Sequence, residues 1–219
     1  MLGRTKRTEI NKGAHKASFE PEQLHRIIDE SLLGHIAFAD QEQPMVIPML
    51  VWRVADHIYV HGANNSRLMR VLKSGQATCV TFTLFDGWVL ARSAFHHSAH
   101  YRSAVVLGHF EEVSSNQIKD QLLNHFIDQI APGRSEQVRA SEKRELAATT
   151  LLKMPLTEAS VKISNNNVND EPRDMNHPVW AGILPYRTKV GPLIDDPDLL
   201  PTQSAPDYSS AYGERWKDS

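Results

Sequence analysis

The stretch from residue 35 to residue 113 divides into short β-prone runs separated by short turns, and this pattern constrains the fold more than any other feature. The runs are HIAFAD, MVIPMLVWRV, HIYVH, ATCVTFTLF, WVLARS and SAVVLGHFEEV, and the turns between them include DQEQP, VAD, KSGQ and DG. Closely spaced strands with short connections are typical of hairpins. The pattern predicts an antiparallel sheet or a small barrel, with DG as one of its turns.

Helical patterns flank these strands. In SFEPEQLHRIIDESLLG the apolar residues recur at helical spacing between Pro21 at the start and Gly34 at the end. SNQIKDQLLNHFIDQI is also amphipathic, and a further helix is predicted over SEKRELAATTLLKM, before the strand EASVKIS. Pro48 lacks an N–H donor, so its strand is predicted to lie at a sheet edge or to carry a bulge.

The length of 219 residues favours one folded domain. We predict a flexible arm over residues 1–15, the folded domain over 16–187 and an extended tail rich in Pro and Asp over 188–219. The apolar segment HPVWAGILPY interrupts the polar sequence that follows Asn165. Trp180 in this segment needs burial, either against a partner chain or by folding back on its own subunit.

Composition excludes several classes of function. The net charge of −2 provides no broad basic field, so no nucleic-acid partner is predicted. The single cysteine, Cys79, cannot form an intramolecular disulfide and indicates a reduced, cytoplasmic protein. No apolar run reaches the roughly 18 residues of a membrane span, so no membrane association is predicted. Walker A, G-x-G-x-x-G and G-x-S-x-G motifs are absent from the sequence.

Three of the 11 histidines lie in the single segment RSAFHHSAHYRS. A zinc site is the obvious alternative, but no Glu, Asp or Cys accompanies them within the segment. The adjacent His96 and His97 would also point in different directions on an extended chain. We therefore predict no metal site.

An anion site fits the arginines and serines better. Ser66 and Arg67 stand at the start of a predicted helix, and Arg102 offers a planar fork that could cooperate with Arg67 in holding a phosphate. The alternative is that Ser66 caps the helix and that Arg102 pairs with a surface carboxylate. Residue spacing alone leaves both interpretations open.

The order of the motifs resembles a known family. The series GHIAF, PMVIPML, HIYVHGANNSRLMRVLKSG, DGWVLARSAFHHSAHYRSAVVLG and EASVKI resembles the FMN-binding split-barrel family related to pyridoxamine 5'-phosphate oxidase. It is most similar to the flavin-nucleotide-binding branch, which includes nitroimidazole-resistance proteins. The resemblance implies a mainly β fold with flanking helices, arranged as an antiparallel split β-barrel.

The resemblance also implies a homodimer that holds FMN at the subunit interface. The cofactor-contacting residues that it implies are Met45, Val46, Ile47, Pro48, His61, Ser66, Arg67, Leu68, Ser98, Arg102 and Ser103. The oxidases carry a phosphate-binding Lys where this chain has Leu68, so a Leu68→Lys variant is expected to bind FMN more tightly. His100 stands where close relatives carry Asn.

The predicted function is that of an FMN-dependent oxidoreductase acting on a small molecule, with His61 or His97 as candidate proton donors. One alternative is a protein that stores or senses flavin without turnover. A second alternative is a haem-binding relative on the same barrel, since the chain is rich in histidine.

Overall fold

Two antiparallel sheets and five α-helices make up the fold in a computed structural model, which describes residues 5–215. The helices are α1 (Pro21–Ser31), α2 (Arg67–Lys73), α3 (Asn116–Ile130), α4 (Lys143–Ala148) and α5 (Tyr208–Arg215). The strands are β1 (Ala17–Ser18), β2 (Leu33–Asp40), β3 (Gln43–Leu50), β4 (Trp52–Val54), β5 (His57–Ala63), β6 (Thr78–Leu90), β7 (Ser98–Gly108), β8 (Glu111–Glu112), β9 (Thr149–Pro155), β10 (Ala159–Ser164) and β11 (Gly182–Pro185).

Sheet A has the strand order β1-β10-β7-β6-β2-β3, with β11 paired to β6, and sheet B has the order β4-β5-β9-β8. All the strand pairs are antiparallel. The prediction of a mainly β split barrel with flanking helices is confirmed, although the two sheets do not close into one barrel within the described residues. Strand β3 pairs only with β2, so Pro48 lies on an edge strand as predicted.

The main core lies between the two sheets. Its fully buried residues come from α1, from the inner face of sheet A and from one face of sheet B; they include Leu24, Ile27, Ile36, Val80, Phe82, Val60 and Leu152. A second cluster lies on the other face of sheet B, where Trp52, Tyr59 and Leu151 pack under Phe126 of α3. Helix α3 therefore covers sheet B from outside.

The DG pair is not a turn, which corrects the sequence prediction. Strand β6 runs without interruption through Asp86 and Gly87, and the register with β7 shifts there instead. Gly87 has φ +153°, and a Cβ atom at this position would lie 2.6 Å from the carbonyl oxygen of Leu184 on β11. Glycine is thus required because another strand approaches the backbone closely.

The predicted helix over SEKRELAATTLLKM is only partly correct. Helix α4 ends at Ala148, and the chain continues as strand β9. Leu151 faces the cluster under α3, whereas Leu152 and Met154 face the main core. A strand that is buried on both faces shows no alternation of polar and apolar residues, so its sequence resembles a buried helix.

The two ends of the chain contact the rest of the structure differently. Thr8 is buried, and Arg7 donates from Nε to Oε1 of Glu158 over 3.0 Å, so residues 5–15 dock on the body rather than forming a free arm; residues 1–4 lie outside the described residues. Near the other end, β11 pairs with β6 of the same chain, and Trp180 stays 66% exposed. The predicted extended tail has helix α5 at its end.

Between residues 5 and 215, no helix is both long enough and apolar enough to cross a bilayer.

Candidate functional site

Strand β3 offers an open edge. Its side chains alternate, with Met45 and Ile47 packed on the core while Val46 is 61% exposed and Pro48 points the same way as Val46. Within the described chain, only β2 pairs with this strand. The backbone groups on its other edge are therefore available to hydrogen-bond a planar ligand.

Ser66 and Arg67 begin α2, and Arg67 contacts the end of β2 next to the β2–β3 turn. Ser66 occupies the N-cap position of α2, but its side chain makes no capping hydrogen bond. The structure therefore does not support the alternative that Ser66 serves only as a helix cap. The side chain of Arg67 is 56% exposed, and its Nε lies 3.3 Å from Oδ2 of Asp40 at the β2–β3 turn. Arg67 donates no side-chain hydrogen bond to another residue within 5–215, so its guanidinium remains able to bind an anion.

Leu68 does not belong to this polar set, which corrects its prediction as a cofactor-contacting side chain. It is only 6% exposed and packs in the main core with Met69 and Leu72. These three residues form the buried face of α2. A side chain at position 68 therefore points away from Arg67 and from solvent.

Arg102 is held by two carboxylates. Its Nε and Nη2 each donate to Asp86 over 2.9 Å, and its Nη1 donates to Glu30 over 2.5 Å. The hydrogen bond to Asp86 raises the pKa of Arg102 above its ordinary value, against the effect of burial. Each of its guanidinium nitrogens thus has a carboxylate partner in its own chain, and the predicted contact of Arg102 with a cofactor stays a prediction.

Ser103 and Ser98 lie on the same strand as Arg102. Ser103 points to the sheet face opposite Arg102, since neighbours on a strand alternate, and its Oγ lies 3.5 Å from the carbonyl oxygen of Lys162. Ser98 is exposed at the start of β7. Their predicted roles in cofactor binding stay predictions.

The predicted residues thus fall into two groups on sheet A, one on β3 and near the β2–β3 turn and the other on β7. We call Met45–Pro48, Ser66 and Arg67 the Arg67 group, and Ser98, Arg102 and Ser103 the Arg102 group. Asp40 marks the position of Arg67, since the two side chains are in contact. Counted through the strand pairing, the level of Asp40 lies three residues along β2 and a further five residues along β6 from the level of Arg102. At roughly 3.3 Å per residue this is about 26 Å. Within one chain, Arg67 and Arg102 therefore cannot hold the same phosphate, contrary to the prediction that they cooperate.

His61 belongs to neither group. It lies on the face of β5 that α3 covers, with its ring centroid 5.6 Å from that of Trp52 and 5.4 Å from that of Phe126. Burial lowers the pKa of His61, so the ring is neutral near pH 7. Its Nδ1 and the Nε1 of Trp52 are buried without a hydrogen-bond partner among the described residues. These two orphaned atoms make His61 a candidate ligand or proton-transfer residue.

The histidine-rich loop does not form a metal centre in the described part of the chain, where no group of three or more His, Cys, Asp or Glu side chains could hold an ion. His96 Nδ1 lies 2.7 Å from Ser93 Oγ, and His97 Nδ1 lies 2.9 Å from the Ser93 carbonyl oxygen. His100 Nε2 lies 2.8 Å from the carbonyl oxygen of Asn166. Each ring is thus fixed separately. His97 lies on this loop, and His61 lies under α3.

Sequence reasoning missed the residue that anchors this loop. The Asp170 side chain has no exposed surface and accepts hydrogen bonds from the Arg92 N–H over 3.0 Å and from Arg92 Nη1 over 3.0 Å. Burial alone would raise the pKa of Asp170, but the hydrogen bonds from Arg92 and from the Ser93 N–H outweigh it and lower the pKa. In the sequence, the polar, turn-rich segment around Asp170 was the one signal that could have drawn attention to it.

Comparison with known proteins identifies the family. A family model described as pyridoxamine 5'-phosphate oxidase matches residues 20–163, about two thirds of the chain. The chain belongs to this family. The confirmed split-barrel fold agrees with the family match, which covers α1, the strands from β2 into β10 and all residues of the Arg67 and Arg102 groups.

Two solved structures of the family are similar over nearly the whole chain. The flavocytochrome Anf3 from Azotobacter vinelandii is 33% identical, with a TM-score of 0.88 and coverage of 93% of this chain and 94% of that chain. The FAD and haem binding protein from Mycobacterium smegmatis is 33% identical, with a TM-score of 0.85 and coverage of 90% and 96%. The similarity to these two proteins therefore extends well beyond residue 163, where the family match ends.

A third structure resembles only the family domain. The protein assigned to 5-nitroimidazole antibiotic resistance in Bacteroides thetaiotaomicron is 19% identical, has a TM-score of 0.57 and covers 67% of this chain and 86% of that one. It shares the fold. No match was found among curated protein sequences.

Proposed function

We propose that this chain is a flavin-binding oxidoreductase whose cofactor lies between two copies of the chain. The observation that carries the proposal is the Arg67 group: α2 begins with a half-exposed guanidinium and a hydroxyl that makes no capping hydrogen bond, and the guanidinium reaches the turn next to the open edge strand β3. A planar ring bearing a phosphate needs this combination of groups. The 33% identity to a flavocytochrome and to a FAD and haem binding protein supports the same cofactor class.

The residues present fit a flavin in the following way. Ser66 Oγ and the terminal nitrogens of Arg67 would hold a phosphate, and the free edge of β3 would hydrogen-bond the ring. Met45 and Ile47 keep this edge in place because they pack on the core. A bound flavin supplies hydride and electron transfer, and the protein supplies position and electrostatic environment.

A second copy of the chain would complete the site. The outer face of sheet A carries small and apolar residues in register, including Ala37, Val46 and Cys79, and Val46 is 61% exposed. An exposed apolar sheet face of this kind is typical of an interface. Packing two such faces about a twofold axis would bring the Arg67 group of one chain towards Ser103 of the other, because Ser103 shares the outer face whereas Arg102 points to the inner face.

The absorption spectrum of the purified protein, followed by titration with FMN and FAD, tests flavin binding. Arg67→Ala is expected to weaken flavin binding by tenfold or more, because a charge-assisted hydrogen bond is lost. Arg144→Ala, which removes an exposed guanidinium on α4 that also pairs with one carboxylate, is the control and is expected to leave affinity unchanged. Wild-type protein that binds neither flavin would contradict the proposal.

Sedimentation equilibrium tests the dimer. We expect twice the chain mass of 24.7 kDa for the wild type and a single chain mass for Val46→Asp, which places a charge on the outer face. Loss of flavin together with loss of the dimer would support a site between two chains. A wild-type monomer that binds flavin fully would refute it.

Turnover is tested with the flavin-loaded protein. NAD(P)H-dependent reduction of quinones or nitro compounds would establish an oxidoreductase. Tight flavin binding with no such reduction would identify a flavin storage or sensing protein instead.

A second cofactor, haem, is favoured by His61. Its neutral imidazole has an unpartnered Nδ1 in aromatic, apolar surroundings, which suits a haem ligand. Haem titration is expected to give a Soret band that His61→Gln abolishes and that His125→Gln, an exposed change on α3, leaves intact. A Soret band unchanged in His61→Gln would exclude His61 as the ligand.

A further inference from the structure

A pocket of about 320 Å³ lies beside the histidine-rich loop, away from the Arg67 group. One wall is the turn Ala94–His96 with the residues that follow it, and the opposite wall is the segment Asn166–Asn169. The second wall lies beyond residue 163, where the family match ends. Its volume falls within the range of pockets that bind small ligands.

Both walls are fixed by hydrogen bonds. Ser93 holds the rings of His96 and His97 through its hydroxyl and its carbonyl oxygen. The opposite segment is held by the buried Asp170, which accepts three hydrogen bonds from the Arg92 and Ser93 region, and by the bond from His100 to Asn166. Hydrogen bonds therefore hold both walls of the pocket in place.

The lining is cationic and rich in neutral donors. Lys16 provides a permanent positive charge, and its Nζ is positioned by a 2.9 Å hydrogen bond to Ser164 Oγ. Imidazoles of His15, His96 and His97 line the same pocket, and none of its lining residues within positions 5–215 is acidic; Glu171 Oε1 lies 3.9 Å from His96 Nε2. This chemistry favours a phosphate over a cation.

The same pocket carries a platform for an aromatic ring. Phe95 is 90% exposed, although large apolar side chains are normally buried, and its ring lies 5.3 Å from that of His96 at 84°. Stacking on an exposed aromatic ring is a common way to hold a nucleobase. Amides such as Asn167 and Asn169 can pair with the edge of adenine.

We propose that this pocket binds an adenosine diphosphate group, with the base on Phe95 and the phosphates near Lys16. His97 Nδ1 is engaged by a carbonyl oxygen, so the neutral ring presents Nε2 as an acceptor for a ribose hydroxyl or the adenine amino group. The group comes either from the dinucleotide half of FAD or from a free nucleotide. In the first case the proposal rests on the proposed flavin function and identifies the flavin as FAD.

Calorimetric titration of the full-length protein with ADP tests the pocket directly. Phe95→Leu keeps apolar bulk but removes the aromatic face, and is expected to weaken ADP binding about tenfold. Asn167→Asp places a carboxylate in the lining at constant size and is expected to weaken it at least as much. Asn116→Asp, the same change on exposed α3, is the control and leaves the affinity unchanged. The proposal would be overturned if the wild-type protein did not bind ADP, or if Phe95→Leu and Asn167→Asp bound ADP as tightly as the wild type.

The source is distinguished by repeating the titration on loaded protein. If FAD abolishes ADP binding while FMN leaves it intact, the pocket holds the adenosine diphosphate half of FAD. If ADP binds equally well beside FAD, the pocket holds a free nucleotide. Protein that binds ADP but no flavin would refute the proposed function and support the proposed nucleotide pocket. Protein that binds flavin but no ADP would support the proposed function and refute the nucleotide pocket.

Discussion

Arg102 and Asp86 form a two-pronged ion pair, with Arg102 Nε 2.9 Å from Asp86 Oδ2 and Nη2 2.9 Å from Oδ1. Glu30 accepts the remaining nitrogen, so this guanidinium ties α1 to β6 and β7. Arg102→Met would leave Asp86 without its cation and leave Glu30, which is only 4% exposed, with Arg26 as its remaining partner, and we expect a loss of about 3 kcal/mol in the free energy of unfolding. Urea denaturation measures this loss.

Arg7→Met is the control for the Arg102 prediction. It removes an exposed ion pair to Glu158 and is expected to cost less than about 1 kcal/mol. If Arg102→Met instead kept full stability and lost only flavin affinity, the side chain would act as a ligand rather than as a structural cation.

Leu68→Lys is expected to destabilise the protein rather than strengthen a phosphate clamp. The side chain is 6% exposed within the main core, so a lysine there would bury a charge, at a cost of about 3 kcal/mol. Chemical denaturation and flavin titration measure the two effects, and Leu200→Lys on the exposed tail should change neither. Tighter flavin binding at unchanged stability would mean that residue 68 reaches the phosphate after all.

Gly87→Ala is expected to loosen β11 from β6. The added Cβ would lie 2.6 Å from the carbonyl oxygen of Leu184, a backbone atom that cannot move without displacing the strand. We expect a loss of about 2 to 3 kcal/mol and faster hydrogen exchange in Gly182–Pro185. Gly133→Ala, also at positive φ but in open space, isolates the backbone strain and should cost only about 1 kcal/mol. Equal losses in both variants would argue against the close contact.

The stability of the protein is expected to fall below about pH 6.5 in a way that depends on His61. Burial lowers the pKa of His61 in the folded state, so in this range the unfolded chain binds more protons than the folded one. The free energy of unfolding then decreases as the pH falls, and this contribution is absent above pH 6.5. Between pH 7.5 and 5.5 the free energy of unfolding of His61→Gln should depend less steeply on pH than that of the wild type. The exposed variant His125→Gln should keep the wild-type pH dependence. An NMR titration placing the pKa of His61 above 6.5 would refute the prediction.

Asp170→Asn is expected to free the segment around residue 170. The carboxylate accepts hydrogen bonds from Arg92 and Ser93, and an amide can replace only part of them. Trypsin should then cleave at Arg173 several-fold faster, because local opening exposes the backbone. Asp198→Asn in the tail is the control. Unchanged cleavage at Arg173 would show that other contacts hold the segment.

Short-range sequence patterns predicted most of the fold. Alternating runs predicted β2 and β7, and the spacing around Leu24 and Ile27 predicted α1, because these elements bury one face only. The prediction failed for β9, which is buried on both faces, and at Gly87, where a strand distant in sequence approaches the backbone. Neither cause is visible in local sequence.

The candidate site was predictable only in part. Ser66, Arg67 and the β3 edge are close in sequence to the turns that bring them together. The partners of Arg102 and Arg92 are not, since Glu30 and Asp170 lie 72 and 78 residues away from them. A long-range partner decides whether an arginine is free to bind a ligand, and spacing along the chain does not reveal it.

The separation of Arg67 from Ser103 along sheet A has a genetic consequence. If each site draws one group from each chain, a chain altered at Arg67 and a chain altered at Ser103 would both be inactive alone. Mixed dimers of the two would contain one site with both lesions and one with none. Co-expression of the two defective chains should therefore restore flavin binding to one site in each mixed dimer.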